Sequence, residues 1–97
     1  MMKLARLFRL DGHVAIVTGG AGLLGAEFCR TLTEAGAHVV AADLNEAAAQ
    51  ALVQAGDAAL AVATDVASPD SVHSMLEAAL TAYGRVDIHT QIGRAHV

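Results

Sequence analysis

Lysine is nearly missing from these 97 residues: Lys3 is the only one, and the six Lys and Arg are outnumbered by ten Asp and Glu. The net charge of −4 is spread along the chain, and no basic stripe is present for a nucleic-acid backbone to meet. Aromatic residues make up 3%, so a hydrophobic fraction of 55% must come mainly from Ala, Val and Leu, the currency of helices packed closely on a sheet. The lone cysteine, Cys29, excludes an internal disulfide and points to a reducing, cytoplasmic setting. No apolar run is long enough for a secretion signal or a membrane span; Lys3, Arg6 and Arg9 leave a short amphipathic organelle leader as the alternative. His13, His38, His73, His89 and His96 show no metal-ligand spacing, so no metal is expected. The length suits one small domain or a piece of a larger one.

What is present is a repeated alternation of strand and helix signals. Val14-Ala15-Ile16-Val17 is a short apolar run ending at glycines, as in a strand buried on both faces. Leu24, Phe28, Leu32 and Ala35 follow at helical spacing, with Glu27, Arg30 and Glu34 opposite and Gly36 as the stop. His38–Ala42 reads as a second strand closed by Asp43; Asn45 caps an alanine-rich helix to about Ala55, with Gly56 as its stop. Ala58–Thr64 is the third strand. Ser68-Pro69 opens a helix through Val72, Met75, Leu76, Ala79 and Tyr83 that Gly84 ends, and Val86–Ile88 begins a fourth strand. Right-handed crossovers assemble such units into a Rossmann-type, doubly wound parallel sheet, here cut off after its fourth strand.

Gly19, Gly22 and Gly25 stand three apart between the first strand and the first helix. A diphosphate is held by backbone N–H groups and by the partial positive charge at a helix start, and glycine lets it approach the backbone. A nucleoside-triphosphatase loop would need Lys and then Ser or Thr after its last glycine; Gly25 is followed by Ala26-Glu27. Asp43 ends the second strand, eighteen positions beyond Gly25, where a carboxylate accepts hydrogen bonds from both ribose hydroxyls of an adenosine. A 2′-phosphate there would meet a like charge, worth about 4 kcal/mol at about 4 Å and an effective dielectric of about 20, and less where water screens it. The cofactor expected is therefore NAD in preference to NADP. The competing role for Asp43 is to cap the next helix. Asp65, ending the third strand, suits either the adenine amine or a helix entry, and Cys29 is expected in the core.

From His13 to Ile88 the chain resembles the N-terminal half of a short-chain dehydrogenase/reductase. The resemblance is carried by Val14 to Gly25, Asp43, the pair Asp65-Val66, and Tyr83-Gly84-Arg85-Val86-Asp87-Ile88. It implies an NAD(P)-dependent oxidoreductase that moves hydride between a nicotinamide and a small alcohol or carbonyl substrate, with the full-length enzyme assembling from identical subunits. Gly19, Gly22, Leu24 and Gly25 would line the cofactor phosphates, Asp43 the adenosine ribose, and Asp65 with Val66 the adenine. The loop departs from the commonest pattern of the family, since Leu23 stands where the middle glycine would be and Gly22 comes one place early. That spacing is nearer the extended branch of sugar-nucleotide epimerases and dehydratases, while the region from Asp65 to Pro69 is nearer the short branch.

The family's proton-transfer pair is a tyrosine with a lysine four places later. Tyr83 is the only tyrosine and is followed at that spacing by Asp87, so no catalytic residue is assigned and these 97 residues are expected to be inactive alone. A non-catalytic dinucleotide-binding module and a nucleotide-free interaction domain are the alternatives. After Ile88 the sequence turns polar, and Ile92–Val97 can be encoded by a string of the kind used in sequencing adapters. Residues 1–90 are thus expected to be the native part of a Rossmann domain and 91–97 a read-through tail. A sheet cut off there should leave one face largely bare and the chain poorly soluble.

Overall fold

The computed structural model describes residues 9–91; the proposed tail, apart from Gln91, lies outside the described residues. Seven elements alternate along the chain: β1 (Val14–Thr18), α1 (Leu23–Glu34), β2 (His38–Asp43), α2 (Glu46–Gln54), β3 (Leu60–Ala63), α3 (Pro69–Tyr83) and β4 (Ile88–Gln91). The strands form one parallel sheet in the order β3-β2-β1-β4. This is the doubly wound α/β arrangement that the alternation of elements implies, with the sheet order reversing between β1 and β4.

Side chains alternate across a strand, so β1 and β2 each feed two cores. Ala15, Val17, Val39 and Ala41 pack with Cys29 of α1 and Ala49 of α2 on one face. Val14, Ile16, Val40 and Ala42 pack with Met75 and Ala79 of α3 on the other. Every residue of β1 is buried, and each large apolar side chain so covered is worth about 1.5–3 kcal/mol. The first core is built largely from alanine, which brings α1 and α2 close to the sheet. Ala49 is the single buried residue of α2, which is why that helix shows so little apolar periodicity in the sequence.

The helix boundaries follow from local chemistry. The Asn45 side chain accepts a hydrogen bond from the Ala48 N–H at 3.0 Å, and the Ser68 hydroxyl accepts one from the Ser71 N–H at 3.2 Å. Pro69 occupies the first turn of α3, where its missing N–H leaves nothing unsatisfied.

Four expectations need correction. The core-facing stripe of α1 is the buried pair Gly25 and Cys29 with half-buried Leu32, whereas Leu24 and Phe28 are 61% and 41% exposed. The fourth strand also begins at Ile88 and not at Val86. β4 continues through His89, Thr90 and Gln91, with Ala15 opposite Ile88 and Thr18 opposite Gln91. Polar residues are tolerated because β4 has one strand neighbour among the described residues; Ile88 and Thr90 are half-buried while His89 and Gln91 are exposed. Nor is the second face bare over the central strands: Val14, Ile16, Val40 and Ala42 are at most 1% exposed, because α3 covers them. β3 is shorter than Ala58–Thr64, although the Ala59 N–H still donates to the Val39 carbonyl and the Thr64 N–H to that of Asp43.

The start of β1 is pinned to the approach to β4. The Asp87 N–H donates to the Val14 carbonyl at 2.9 Å, and the Val14 N–H donates to Asp87 Oδ2 at 2.8 Å. Arg85 donates to both oxygens of the same carboxylate. The Arg85 guanidinium first, and then the Val14 N–H, hold the Asp87 carboxyl below the usual carboxylate range. A carboxyl depressed in the folded state stabilises the fold fully above the unfolded value, about 4, and loses that contribution as pH falls through the lower folded value. Thermal melts from pH 7 down to pH 3 should therefore show Asp87→Asn less stable than the parent at neutral pH, with the gap narrowing below about pH 4. Parallel curves over that range would contradict the assignment.

Candidate functional site

The loops leaving the carboxyl ends of β1, β2 and β3 meet along one edge of the sheet, the edge at which open α/β sheets bind ligands. β1 ends in the turn Gly19–Gly22, which swings the chain into α1. Gly19 has φ +74°, a left-handed conformation that suits glycine. Gly25 is required for a different reason. A Cβ on it would lie 2.2 Å from the Gly19 carbonyl oxygen and 2.8 Å from the Gly20 Cα, so α1 sits directly on the turn. This contact sets the rotation of α1, and one and two turns further along the same face come Cys29 and Leu32.

Gly22 has no such internal reason to be glycine. Its φ is −73°, and an added Cβ would meet only the Gly19 carbonyl oxygen at 3.5 Å. It is the N-cap of α1 and offers no side-chain acceptor, and the first turn holds no acidic residue. The first N–H groups of α1 therefore face outward with the positive end of a twelve-residue helix behind them. Leu23, at the place of the usual middle glycine, is 91% exposed and disturbs nothing. Leu24 lies beside it.

The structure brings Asp43 to this turn. Asp43 Oδ2 accepts from the Ala21 N–H at 3.1 Å, and Oδ1 accepts from the Asn45 N–H at 2.9 Å. The cap of α2 itself is Asn45, so Asp43 supports the helix start without being its cap. Asp43 is also in register with Ala63, which places the segment after β3 alongside. There Asp65 Oδ1 accepts from the Ala67 N–H at 3.0 Å, the Asp65 N–H donates to Ser71 Oγ at 2.8 Å, and the Asp65 carbonyl accepts from the Ser68 N–H at 3.0 Å. Asp65 thus shapes the entry to α3, with its side chain exposed beside a Val66 that is 40% exposed.

One residue of this edge escaped the sequence reading. Leu44, directly after Asp43, is 74% exposed and offers an apolar side chain next to the carboxylate. An apolar residue in a solvent-facing turn between a strand and its next helix was the available signal. Cys29 is fully buried, and burial foremost, with Asp57 adding to it, pushes its thiol up to about 11. Among the described residues no group of three or more His, Cys, Asp or Glu is placed to hold a metal ion, and no helix is long and apolar enough to cross a membrane.

Comparison with known proteins places this geometry. The family model described as short chain dehydrogenase matches residues 13–91. The short chain dehydrogenase/reductase astE of Aspergillus oryzae is 40% identical over 94 residues, which cover 92% of this chain and 36% of that protein. A 3beta-hydroxysteroid dehydrogenase 2 of Eggerthella lenta is 41% identical over 83 residues, covering 81% and 32%. The crystal structure of a 3-ketoacyl-(acyl-carrier-protein) reductase from Brucella melitensis complexed with NADH superposes with a TM-score of 0.77 at 34% identity, covering 81% of this chain and 33% of that one. The chain spans about a third of the length of the relatives it matches.

Two substitutions separate the structural glycine from the open one. Gly25→Ala forces backbone against backbone and should destabilise the fold by about 1–3 kcal/mol or more, the range for overpacking a tight contact. Gly22→Ala should melt within about 0.5 kcal/mol of the parent. Thermal or urea denaturation of the two variants reads the difference directly.

At pH 8 the native Cys29 thiol should also be alkylated at least about a hundredfold more slowly than an ordinary cysteine, and at the ordinary rate once the chain is unfolded. Rapid labelling of the folded protein would place Cys29 outside the core.

Proposed function

The chain belongs to the short-chain dehydrogenase family, and we propose that it is the N-terminal, cofactor-binding part of an oxidoreductase that transfers hydride between NAD and a small alcohol or carbonyl compound. The observation that carries this reading is the uncapped start of α1 behind the glycine turn, with Asp43 hydrogen-bonded to that same turn. Related proteins support the class of substrate, since their names include a hydroxysteroid dehydrogenase and a ketoacyl reductase, one an alcohol chemistry and one a ketone. The NADH in the Brucella reductase supports the cofactor.

In this assignment Gly19, Gly22, Leu24 and Gly25 line the diphosphate, which the outward N–H groups of α1 meet with hydrogen bonds and a favourable dipole. Asp43 accepts the hydroxyls of the adenosine ribose. Asp65 and Val66 border the adenine, and exposed Leu44, next to Asp43, offers it an apolar side chain. The dinucleotide, when bound, supplies the hydride acceptor or donor. This chain's own residues bind and orient its adenosine half. A cytoplasmic setting and assembly from identical subunits belong to the same reading of the whole protein.

A non-catalytic dinucleotide-binding module is the second reading. The full gene separates the two readings: a downstream Tyr-x-x-x-Lys supports the oxidoreductase, its absence the module. The cofactor-binding assignment is common to both readings.

Fluorescence titration of the chain with NADH and NADPH tests it. NADH should bind saturably and about tenfold or more tightly than NADPH, because a 2′-phosphate would face Asp43 and forfeit its hydrogen bonds. Gly22→Ala, which leaves the fold intact, should weaken NADH by crowding the diphosphate. Saturable binding of neither dinucleotide would overturn the proposal.

A further inference from the structure

We infer that Asp43 is a positioning residue for the glycine turn as well as a partner for the ribose, bolting the β1–α1 turn to the β2–α2 turn before any ligand arrives. The inference deepens the cofactor reading above and rests on it. It follows from an accounting of the N–H groups in the turn. The Gly19 and Gly20 N–H groups both donate to the Ala42 carbonyl, at 2.8 and 3.3 Å, and the Gly22 N–H donates to the Gly19 carbonyl at 3.2 Å. The Ala21 N–H donates to a side chain instead, Asp43 Oδ2. The other carboxylate oxygen takes the Asn45 N–H, and Asn45 in turn caps α2. One charged acceptor thus spans two turns.

The carboxylate is well anchored for that task. Asp43 closes β2, is paired in register with Ala63, and its carbonyl accepts the Thr64 N–H at 3.0 Å. Hydrogen bonds to an ionised acceptor are roughly twice as strong as neutral ones. Each oxygen keeps a further lone pair for a ribose hydroxyl, so positioning and binding are compatible. Without the carboxylate, the turn loses its side-chain tie, and the N–H groups at the start of α1 lose their fixed aim.

Charge and positioning predict opposite effects on an anion, which makes the inference testable. Removing a carboxylate near a diphosphate favours binding by charge alone; loosening the turn opposes it. The probe is 2′,3′-dideoxyadenosine diphosphate, which lacks the hydroxyls that Asp43 would contact, used beside ADP on the full chain and its Asp43→Ala and Asp43→Asn variants. In the parent, ADP and the dideoxy analogue should both bind. Asp43→Ala should weaken the dideoxy analogue about tenfold, the loss of one charge-assisted hydrogen bond. In the ligand-free variant the Ala21 amide should exchange with solvent faster than in the parent. Asp43→Asn, which keeps one acceptor oxygen, should fall between; should Asp43→Ala fail to fold by circular dichroism, the same two readouts on Asp43→Asn decide. Unchanged or tighter binding of the dideoxy analogue, or unchanged Ala21 exchange, overturns the positioning role while leaving the cofactor reading standing. A parent chain that binds neither ADP nor NADH overturns both.

Discussion

The contact on which the rest of this structure depends is the seating of Gly25 against Gly19 and Gly20. A Cβ at Gly25 would lie 2.2 Å from a backbone oxygen, so the first turn of α1 and the end of β1 touch backbone to backbone. That approach does three things together. It rotates α1 so that Cys29 and Leu32 enter the core, it leaves Leu24 and Phe28 at the surface, and it sets the uncapped start of the helix beside the glycine turn. Packing and the candidate site are therefore two consequences of one missing side chain.

The central strands supply the platform for this contact. β1 and β2 are buried on both faces, with Ala15, Val17, Val39 and Ala41 toward α1 and α2 and Val14, Ile16, Val40 and Ala42 toward α3. A parallel sheet covered in this way collects the exits of its strands along one edge. Asp43 reaches the glycine turn for that reason, and the segment carrying Asp65 and Val66 leaves the sheet at the same edge, although the chain separates these residues by up to 47 positions from Gly19. The opposite edge is closed by a different device, the exchange of backbone and carboxylate hydrogen bonds between Val14 and Asp87.

Much of this was legible in the sequence because it rests on local chemistry. Asn45, Ser68 and Pro69 mark helix starts through hydrogen bonds or a missing donor within one turn, and Gly36, Gly56 and Gly84 follow the three helices with φ of +103°, +83° and +80°. The glycine turn was legible for the same reason. What misled was the assumption that the longest apolar side chains mark the buried face. In α1 that selects Leu24 and Phe28, whereas the face is chosen by Gly25, a residue with no side chain. The polar run His89-Thr90-Gln91 misled similarly, because it is held by its backbone ladder to β1 and by contacts such as the Thr18 hydroxyl on the Thr90 carbonyl, at 2.9 Å, which hydropathy does not register. The double use of Asp43 was beyond reach, since it depends on where the Ala21 and Asn45 N–H groups point.

The departure of the loop from the commonest glycine spacing has a physical resolution. A glycine pattern is a record of where backbones must approach, and each position can be questioned separately. Gly19 answers to its dihedral angle and Gly25 to backbone contact, so both are fixed by the protein itself. Leu23, at the place of the middle glycine, projects into solvent at 91% exposure, and the protein asks nothing of that position. Gly22 is also unconstrained from within, yet it lies at the N-cap, where any group approaching the helix start from outside would meet its side chain. On the proposed assignment the requirement for glycine at that point comes from the ligand. Spacing alone therefore says less about the branch of the family than about which backbone atoms the diphosphate approaches.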